Sequence, residues 1–239
     1  MAKIDLRIYP DAEALYAAAT EALTRELQTV LRRKPKATFV LTGGNSARGV
    51  YEYMGPSCDF QDWNRVEFFW GDERCVPPDD EQSNYHLAHE AFLSRLSVSE
   101  RQIHRMQAEL KDHERVALLY EEEIRRNFPG QAPPNFDLLH LGMGEDGHTA
   151  SLFPGTHWDE QRLVIVNYSP QHPFQRISMT LQLLNAARRV FFVVSGAPKA
   201  PALKRMVEDP TCDYPARRVQ PASGQLTWMV DRAAASLLK

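Results

Sequence analysis

Long hydrophobic runs are missing from this sequence, and cysteine is scarce. None of its apolar runs approaches the roughly 18 residues that a membrane-spanning helix requires. The opening stretch, MAKIDLRIYP, lacks the apolar core of a signal peptide and alternates as a β-strand does. The three cysteines, Cys58, Cys75 and Cys212, are scattered and form no C-x-x-C pair, which is typical of a reducing compartment. We therefore expect a cytoplasmic protein with no membrane partner.

Positive charge is not in excess either. Lysine and arginine number 28 against 31 aspartate and glutamate residues, and the net charge of −3 argues against nucleic acid as the main partner. The hydrophobic share of 43% and the charged share of 25% are ordinary for a globular protein. A length of 239 residues allows one large α/β domain or two small ones. Because the sequence contains no internal repeat, we expect a single domain over residues 1–239.

Strand-like and helix-like segments alternate along nearly the whole chain. The first helix carries apolar residues between Ala14 and Leu31 at the spacing of a surface helix. The predicted strands are Ile4–Tyr9, Thr38–Leu41, Val66–Trp70, Phe136–Leu141, Leu163–Tyr168, Ile177–Met179, Val190–Val194 and Leu226–Val230. The further predicted helices are Ser46–Met54, Asn84–Leu96, Asp112–Asn127, Leu181–Ala187, Lys199–Val207 and Asp231–Leu238. This alternation predicts an α/β fold, an open and mostly parallel sheet of Rossmann-like type with helices on both faces.

The most informative segment is the strand Phe136–Leu141 with the turn that follows it, FDLLHLGMGEDGHTASLFP. Three glycines in residues 142–147 allow a sharp backbone bend. The turn ends by presenting Asp146 and His148 at the carboxyl end of the strand, where open α/β sheets bind their ligands. Histidine takes and returns protons near neutral pH, so this placement indicates an enzyme that uses acid–base chemistry.

The same turn matches the G-x-G-x-x-G pattern of dinucleotide-binding folds. That pattern also needs a long helix and an acidic residue about 20 positions later. Here Pro154 cuts short any helix near His148, Glu145 and Asp146 would repel a pyrophosphate, and the next strand ends in Asn167 and Tyr168. We therefore reject a dinucleotide site and expect no cofactor.

A second glycine-containing loop, Thr42-Gly43-Gly44-Asn45-Ser46, lies between a predicted strand and a predicted helix. Backbone N–H groups at a helix N-terminus form a natural anion site. The segment is not a P-loop, since it lacks the G-x-x-x-x-G-K-[ST] pattern. Taken alone, it is equally well explained as a tight turn capped by Asn45 or Ser46.

Charged residues follow two further strands. Asp72, Glu73 and Arg74 come directly after Val66–Trp70, although a solvated loop is the simpler explanation of these residues taken alone. Arg176 begins a later strand and Lys199 begins a helix, and each alone is most simply a surface cation. Their common position at strand ends favours a single site with an anion cradle, cations and the His148–Asp146 pair. Such a site suits a small phosphorylated substrate and metal-free acid–base chemistry.

Other candidates are weaker. His86 and His89 are one helical turn apart, but no third ligand accompanies them, so we expect no metal site. His140 lies within an apolar strand and is expected to be packed and hydrogen-bonded. Cys75, beside Arg74, has no evident histidine partner that would make it a reactive thiol.

At these residues the chain resembles the 6-phosphogluconolactonase family, cytosolic hydrolases of the pentose phosphate pathway. Four blocks carry the resemblance in order, nearly from end to end: TGGNS, WGDERCVPPDDEQSNYHLA, FDLLHLGMGEDGHTASLFPG and RISMTLQLLNAARRVFFVVSGAPKA. Asn45 departs from the family, in which serine is commoner. The family shares its fold with the glucosamine-6-phosphate deaminases, which implies that fold here.

The resemblance also implies residue roles. His148, with Asp146 near it, activates the attacking water. The loop Thr42–Ser46, with Lys199 and Arg176, holds the phosphate. Arg74 faces the substrate and is assigned a catalytic role, in which it or a backbone N–H stabilises the charge on the carbonyl oxygen. Asp72 of the same block is assigned to substrate binding. The expected reaction is direct hydrolysis of 6-phospho-D-glucono-1,5-lactone to 6-phospho-D-gluconate, without a metal.

Two alternative functions stay open at this point. The first is an isomerase or deaminase of the sibling family, whose members carry a catalytic glutamate a few residues after the histidine, where this chain has Phe153. The second is a non-catalytic sugar-phosphate sensor. In all cases the expected partner is a small molecule, and the expected assembly is a monomer or weak homodimer.

Overall fold

The chain folds as alternating strands and helices. The computed structural model describes residues 4–55, 58–168, 171 and 173–239. The strands are β1 (Asp5–Tyr9), β2 (Ala37–Leu41), β3 (Val66–Trp70), β4 (Asp72–Arg74), β5 (Ile103–His104), β6 (Leu138–Leu141), β7 (Val164–Asn167), β8 (Arg176–Met179), β9 (Arg189–Val194) and β10 (Gln225–Asp231). The α-helices are α1 (Ala12–Leu31), α2 (Asn45–Tyr53), α3 (Asn84–Ala91), α4 (His113–Asn127), α5 (Leu181–Leu184), α6 (Ala200–Glu208) and α7 (Pro215–Arg218).

The long helices begin at side-chain caps that the sequence provides. The carboxylate of Asp11 accepts a hydrogen bond from the N–H of Ala14 at 2.8 Å, and α1 begins there. Asp112 caps α4 in the same way through the N–H of Arg115 at 3.0 Å. Such a cap stabilises a helix by about 1 kcal/mol, because it satisfies a backbone donor that has no partner within the helix.

Seven strands form one sheet, in the order β1-β10-β9-β6-β2-β3-β5. Every neighbouring pair in it is parallel. The cross-strand neighbours Phe192 and Trp228 stack face to face, with centroids 3.9 Å apart. The predicted open, mostly parallel α/β sheet is confirmed.

The core has two layers because alternate residues of each strand point to opposite faces. On β2, Phe39 packs into a cluster with α1, α2 and α3, whereas Val40 packs into a cluster with α4 and α6. On β6, Leu138 belongs to the first cluster and Leu139 to the second. Helices therefore cover both faces of the sheet, as predicted.

Three strands form a separate antiparallel sheet, in the order β4-β8-β7. The segments predicted as strands around β7 and β8 are strands, but they do not join the main sheet. The solvated-loop explanation of Asp72 and Glu73 is wrong, since both lie in β4 and are buried. Gly71 connects the two sheets: its N–H donates to the carbonyl of Leu41 at 2.9 Å and its carbonyl accepts from Met179 at 2.8 Å.

Three predicted helices differ in the structure. The closing helix predicted over Asp231–Leu238 is wrong, because β10 extends to Asp231 and turns follow it. The helix predicted over Leu181–Ala187 ends at Leu184. The helix predicted over Asn84–Leu96 ends at Ala91, and a short 3₁₀ turn, Leu93–Arg95, follows.

The sheet has a topological switch point between β2 and β6. From β2 the chain passes through α2 to β3 on one side, and from β6 it continues to β9 on the other. Ligands of open α/β sheets bind in the crevice at the carboxyl ends of two such strands. Among the described residues, no helix has the length and apolar character needed to cross a membrane.

Candidate active site

A cavity of about 790 Å³ opens at the switch point. This volume is within the range of roughly 300–1,000 Å³ that is usual for small-molecule sites. All of the predicted site residues line it, from five separate loops and strands: Thr42, Gly43, Gly44, Asn45, Ser46, Asp72, Arg74, Asp146, His148, Arg176 and Lys199. The structure therefore brings together the residues to which the sequence assigned a catalytic or binding role.

The turn after β6 bends tightly back on itself. The N–H of Gly144 donates to the carbonyl of His148 at 2.8 Å. A β-carbon on residue 144 would lie 2.1 Å from Nδ1 of His148 and 2.6 Å from Oδ1 of Asp146. Only glycine at position 144 leaves room for the side chains of Asp146 and His148 to meet. The glycine in the turn therefore permits the contact between Asp146 and His148.

His148 and Asp146 form a short hydrogen bond. Nδ1 of His148 lies 2.6 Å from Oδ1 of Asp146, which also accepts the backbone N–H of His148 at 3.1 Å. Burial opposes ionisation of Asp146, but the hydrogen bonds and charge of His148 prevail and lower its pKa to about 2. The carboxylate favours the tautomer in which Nδ1 carries the proton, and this tautomer has its lone pair on Nε2.

No helix follows this turn in the described residues. Thr149 and Leu152 form an isolated antiparallel bridge, and the hydroxyl of Thr149 donates to the carbonyl of Gly142 at 2.9 Å. Phe153 is buried against the imidazole of His148. The rejected dinucleotide site is thus missing its helix, as Pro154 indicated.

The loop Thr42–Ser46 connects β2 to α2. Gly44, with φ of 94°, is the N-cap residue of α2, and this left-handed conformation favours glycine. No side chain caps α2, so the capping role considered for Asn45 or Ser46 is wrong. The hydroxyl of Tyr51 fixes the first residue of the loop. It accepts a hydrogen bond from the N–H of Thr42 and donates one to the carbonyl of Thr42, both at 2.9 Å.

The loop after β9 is joined to this cradle. The hydroxyls of Ser46 and Ser195 lie 2.8 Å apart, and Tyr16 of α1 reaches Ser195 at 2.8 Å. The N–H of Gly196 donates to both carboxylate oxygens of Asp231, at 3.0 and 3.1 Å. The sequence did not predict a role for Tyr16, Ser195 or Asp231, although Ser195 and Gly196 belong to the same short segment as Lys199.

Lys199 approaches the catalytic turn from this second loop. Its Nζ lies 3.9 Å from Oε1 of Glu145, whose side chain is 66% exposed. An ion pair of this length and exposure is weak. Lys199 can therefore turn towards an anionic ligand at little cost.

Asp72 and Glu73 have different neighbours, although they are adjacent in β4. Asp72 lines the cavity and accepts hydrogen bonds from Ser151 Oγ at 2.6 Å and Asn84 Nδ2 at 3.2 Å. Glu73 points to the start of α3, where it accepts the N–H groups of Asn84 at 2.7 Å and Tyr85 at 2.8 Å. Burial raises the pKa of Glu73, and these backbone hydrogen bonds oppose the rise. Glu73 therefore holds α3 in place, and Asp72 faces the ligand space.

Arg74 and Arg176 are direct cross-strand neighbours on β4 and β8. The guanidinium of Arg74 donates to the carbonyl of Gln82. The Nε atoms of both arginines are buried and have no hydrogen-bond partner among the residues that the structure describes. Burial and the charge of Arg74 both lower the pKa of Arg176, because two like charges in a desolvated site repel each other. An anion between them would relieve this repulsion.

The sequence assigned no catalytic or binding role to His140 or Cys75. His140 is packed in the core as predicted, but the expected hydrogen bond is missing: neither ring nitrogen has a partner among the described residues. Burial raises the pKa of the Cys75 thiol to about 12, and the charge of Glu73 adds to the rise. Cys75 is therefore an unreactive thiol, in agreement with the sequence argument.

The residues that the structure describes contain no candidate metal site. No group of three histidine, cysteine, aspartate or glutamate side chains there has a geometry suited to a metal ion. Nε2 of His86 pairs instead with Glu90 at 3.5 Å, and His89 packs near the ring of Tyr85.

Comparison with known proteins gives the family. Residues 10–228 match the family of glucosamine-6-phosphate isomerases/6-phosphogluconolactonase. The chain belongs to this family. The resemblance inferred from the four sequence blocks is confirmed.

The individual relatives match this chain over nearly its whole length. The 6-phosphogluconolactonase of Nostoc sp. is 35% identical over 243 residues, which span 99% of this chain and 99% of the relative. The crystal structure of 6-phosphogluconolactonase from Thermotoga maritima is 30% identical, with a TM-score of 0.84 over 96% of this chain and 100% of that one. A monomeric glucosamine-6-phosphate deaminase shares the fold, with a TM-score of 0.83 at 20% identity over 98% of this chain and 100% of its own.

Proposed function

We propose that this chain hydrolyses 6-phospho-D-glucono-1,5-lactone to 6-phospho-D-gluconate, the lactonase step of the pentose phosphate pathway. Family membership and the full-length lactonase relatives support this reaction. The observation that carries it is the His148–Asp146 pair, 2.6 Å apart, in the same cavity as the anion cradle and the two cationic side chains Arg74 and Arg176. A general base and an anion site together suit a phosphorylated, electrophilic substrate.

The reaction needs one water and no covalent intermediate, because a lactone is already an activated ester. Nε2 of His148 takes a proton from the water while the water oxygen attacks the lactone carbonyl carbon. The ring C–O bond then breaks, and the imidazolium returns the proton to the departing ring oxygen. Asp146 stays ionised throughout, since its pKa is about 2, and stabilises the imidazolium.

Negative charge develops on the carbonyl oxygen in the transition state. Arg74, whose Nε has no partner within the described part of the chain, or a backbone N–H of the catalytic turn stabilises this charge. The loop Thr42–Ser46, Lys199 and Arg176 hold the remote phosphate and so orient the ring for attack. Asp72 accepts hydrogen bonds from substrate hydroxyl groups with its remaining lone pairs.

The proposal also covers the domain organisation, the partners, the assembly and the location of the protein. We infer that residues 1–239 form one domain, because β1 and β10, from the two ends of the chain, are paired in one sheet. The substrate is a small sugar phosphate, with neither nucleic acid nor membrane as a partner, and the assembly is a monomer or weak homodimer. Three free cysteine thiols support a cytoplasmic location. The net charge of −3 supports the absence of a nucleic-acid partner.

A direct assay tests the proposal. Freshly prepared 6-phosphogluconolactone is followed by NMR, since it also opens spontaneously, and the first-order decay is measured at several enzyme concentrations. We expect the rate to rise in proportion to enzyme. No acceleration at the highest enzyme concentration, in a mixture where a known lactonase is active, contradicts the proposal.

A further inference from the structure

Tyr16 of α1 lines the active-site cavity, but the proposed chemistry gives it no role. Ser195, in the loop after β9, and Ser46, in α2, line the same cavity. The hydroxyl oxygen of Tyr16 lies 2.8 Å from Oγ of Ser195, which in turn lies 2.8 Å from Oγ of Ser46. These three side chains, which we call the hydroxyl network, connect three separate segments and end in the anion cradle.

A glycine in the second helix fixes the position of the tyrosine ring. Gly49 lies inside α2, where glycine is less favourable than alanine by about 0.5–1 kcal/mol. A β-carbon on residue 49 would lie 2.2–2.6 Å from three ring carbons of Tyr16. The ring therefore packs directly on the backbone of α2, and this packing holds the hydroxyl of Tyr16 beside Ser195.

The orientation of the hydroxyl network decides where its spare proton lies. Three hydroxyls carry three protons, and the two contacts between them use two. Oγ of Ser46 also accepts the backbone N–H of Ser195 at 3.2 Å. When Tyr16 donates to Ser195 and Ser195 donates to Ser46, both lone pairs of the Ser46 oxygen are occupied. The proton of Ser46 then points out of the network.

The start of α2 favours this orientation when an anion is bound. Ser46 is the second residue of α2, and no side chain among the described residues caps this helix. The first N–H groups of a helix have no partner within it, and together with the helix dipole they attract negative charge. An anion at this position attracts the proton of Ser46 in the same way.

We propose that Tyr16 is a positioning residue for the phosphate group of the substrate, and that it acts through Ser195 to direct the hydroxyl proton of Ser46 towards a phosphate oxygen. This inference rests on the proposed function and adds two residues, Tyr16 and Ser195, to its anion site. Each hydrogen bond in such a network polarises the next, so the donation from Tyr16 strengthens the donation from Ser46.

Substitutions along the hydroxyl network separate this role from packing. Tyr16→Phe removes the hydroxyl and keeps the ring that packs on α2. Ser195→Ala interrupts the network at its middle, and Ser46→Ala removes the final donor. The double variant Tyr16→Phe/Ser46→Ala tests whether Tyr16 acts through Ser46. Tyr53→Phe, at the exposed end of α2 and outside the cavity, is the matched control.

Calorimetric titration gives the Kd of each variant for 6-phosphogluconate and for unphosphorylated gluconate. We expect Ser46→Ala to weaken 6-phosphogluconate binding by about tenfold, because a hydrogen bond to a charged group is lost. Tyr16→Phe and Ser195→Ala should each weaken it by about threefold or more, since the donor remains but is no longer directed. Gluconate binding and the Tyr53→Phe control should be unaffected.

The double variant carries the decisive comparison. If Tyr16 acts through Ser46, Tyr16→Phe should have no further effect once Ser46 is alanine, so the two losses should not add. Losses that add in full overturn the proposal, because Tyr16 then acts independently of Ser46. Unchanged 6-phosphogluconate affinity in Tyr16→Phe overturns it as well, as does an equal loss of affinity for gluconate.

Steady-state rates distinguish this inference from the proposed function. In Tyr16→Phe, KM for the phosphorylated lactone should rise and kcat should stay the same, because His148 and its water are untouched. A fall in kcat without a change in KM contradicts the positioning role. If the protein hydrolyses lactone while the Tyr16 variant binds normally, only this inference fails. If the binding losses appear in a protein that does not hydrolyse lactone, only the proposed function fails.

Discussion

The ring of Phe153 packs against the imidazole of His148, with centroids 4.9 Å apart and planes tilted by 57°. Phe153 is 3% exposed, so its buried ring shields this side of the imidazole from water. In the sibling deaminases, a glutamate is expected near this position, because amine loss needs a carboxylate to shuttle protons at the carbon beside the carbonyl. A closed, electrophilic lactone has no such need.

The first prediction concerns this difference. The protein should release no ammonia from glucosamine 6-phosphate, even at high enzyme concentration, while opening 6-phosphogluconolactone rapidly. Ammonia is measured by a coupled assay beside an active deaminase. Ammonia above background, without any acceleration of lactone opening, would reverse the assignment.

The second prediction concerns the general base. His148→Ala should lower kcat by about 10²–10⁴-fold, the usual effect of losing a general base. KM should change little, because the phosphate contacts remain. Initial rates on freshly made lactone measure both constants, and His89→Ala, an exposed histidine outside the cavity, is the control. Activity of His148→Ala within a few-fold of the unaltered enzyme would exclude this role.

The third prediction concerns stability at low pH. The pKa of Asp146 is lowered to about 2 from an ordinary value of 3.8, so its ionised form stabilises the fold above pH 4. That stabilisation, about 2 kcal/mol at most, is lost as the pH falls from 4 towards 2. Asp146→Asn should therefore be less stable than the unaltered protein at pH 6, and the difference should shrink as the pH falls.

Urea unfolding between pH 2.5 and 6 measures this difference in the free energy of unfolding. Asp79→Asn, which removes an exposed carboxylate away from His148, is the control. A difference between Asp146→Asn and the unaltered protein that stays constant over this range would show that the charge of Asp146 is not coupled to folding.

The fourth prediction concerns the phosphate. Charge-assisted hydrogen bonds contribute about 1.5–3 kcal/mol each. Arg176→Met or Lys199→Met should therefore raise KM for the phosphorylated lactone by about tenfold or more. Unphosphorylated gluconolactone should be little affected. Lys204→Met, on α6 outside the cavity, is the control. Equal losses on both substrates would assign the two cations to structure instead.

The fifth prediction concerns metals. The proposed water is activated by His148 alone, so dialysis against a strong chelator should leave the lactonase rate unchanged. A loss that a divalent ion restores would require a different mechanism.

Local signals in the sequence were sufficient to predict much of the site. The glycines around His148 and Asp146, and the strand-to-helix loop Thr42–Ser46, are continuous segments whose geometry depends mainly on their own residues. Alternation of strands and helices similarly predicted the main sheet. Their convergence follows from a general property of parallel sheets, in which all carboxyl ends lie at one edge.

Contacts between distant segments were not predictable in this way. β4 becomes a buried strand because β8, about a hundred residues later, pairs with it. Tyr16 contributes to the site only because α1 passes beside Ser195. The alanine-rich end of the chain favours a helix, but β10 extends to Asp231, whose carboxylate accepts the N–H of Gly196 from the loop after β9, and turns follow it. No local sequence pattern predicts these contacts between distant residues.

The position of β10 between β1 and β9 has a consequence for biosynthesis. β1 lies at the edge of the sheet and pairs with β10, which is synthesised much later. The nascent chain must therefore carry an unpaired strand until residue 231 has emerged, and contacts of such sequence separation form slowly. The same residue, Asp231, holds Gly196 beside the anion cradle. The cavity is thus complete only once β10 has joined the sheet, and a chain truncated before β10 would lack both the pairing partner of β1 and the Asp231 carboxylate beside the anion cradle.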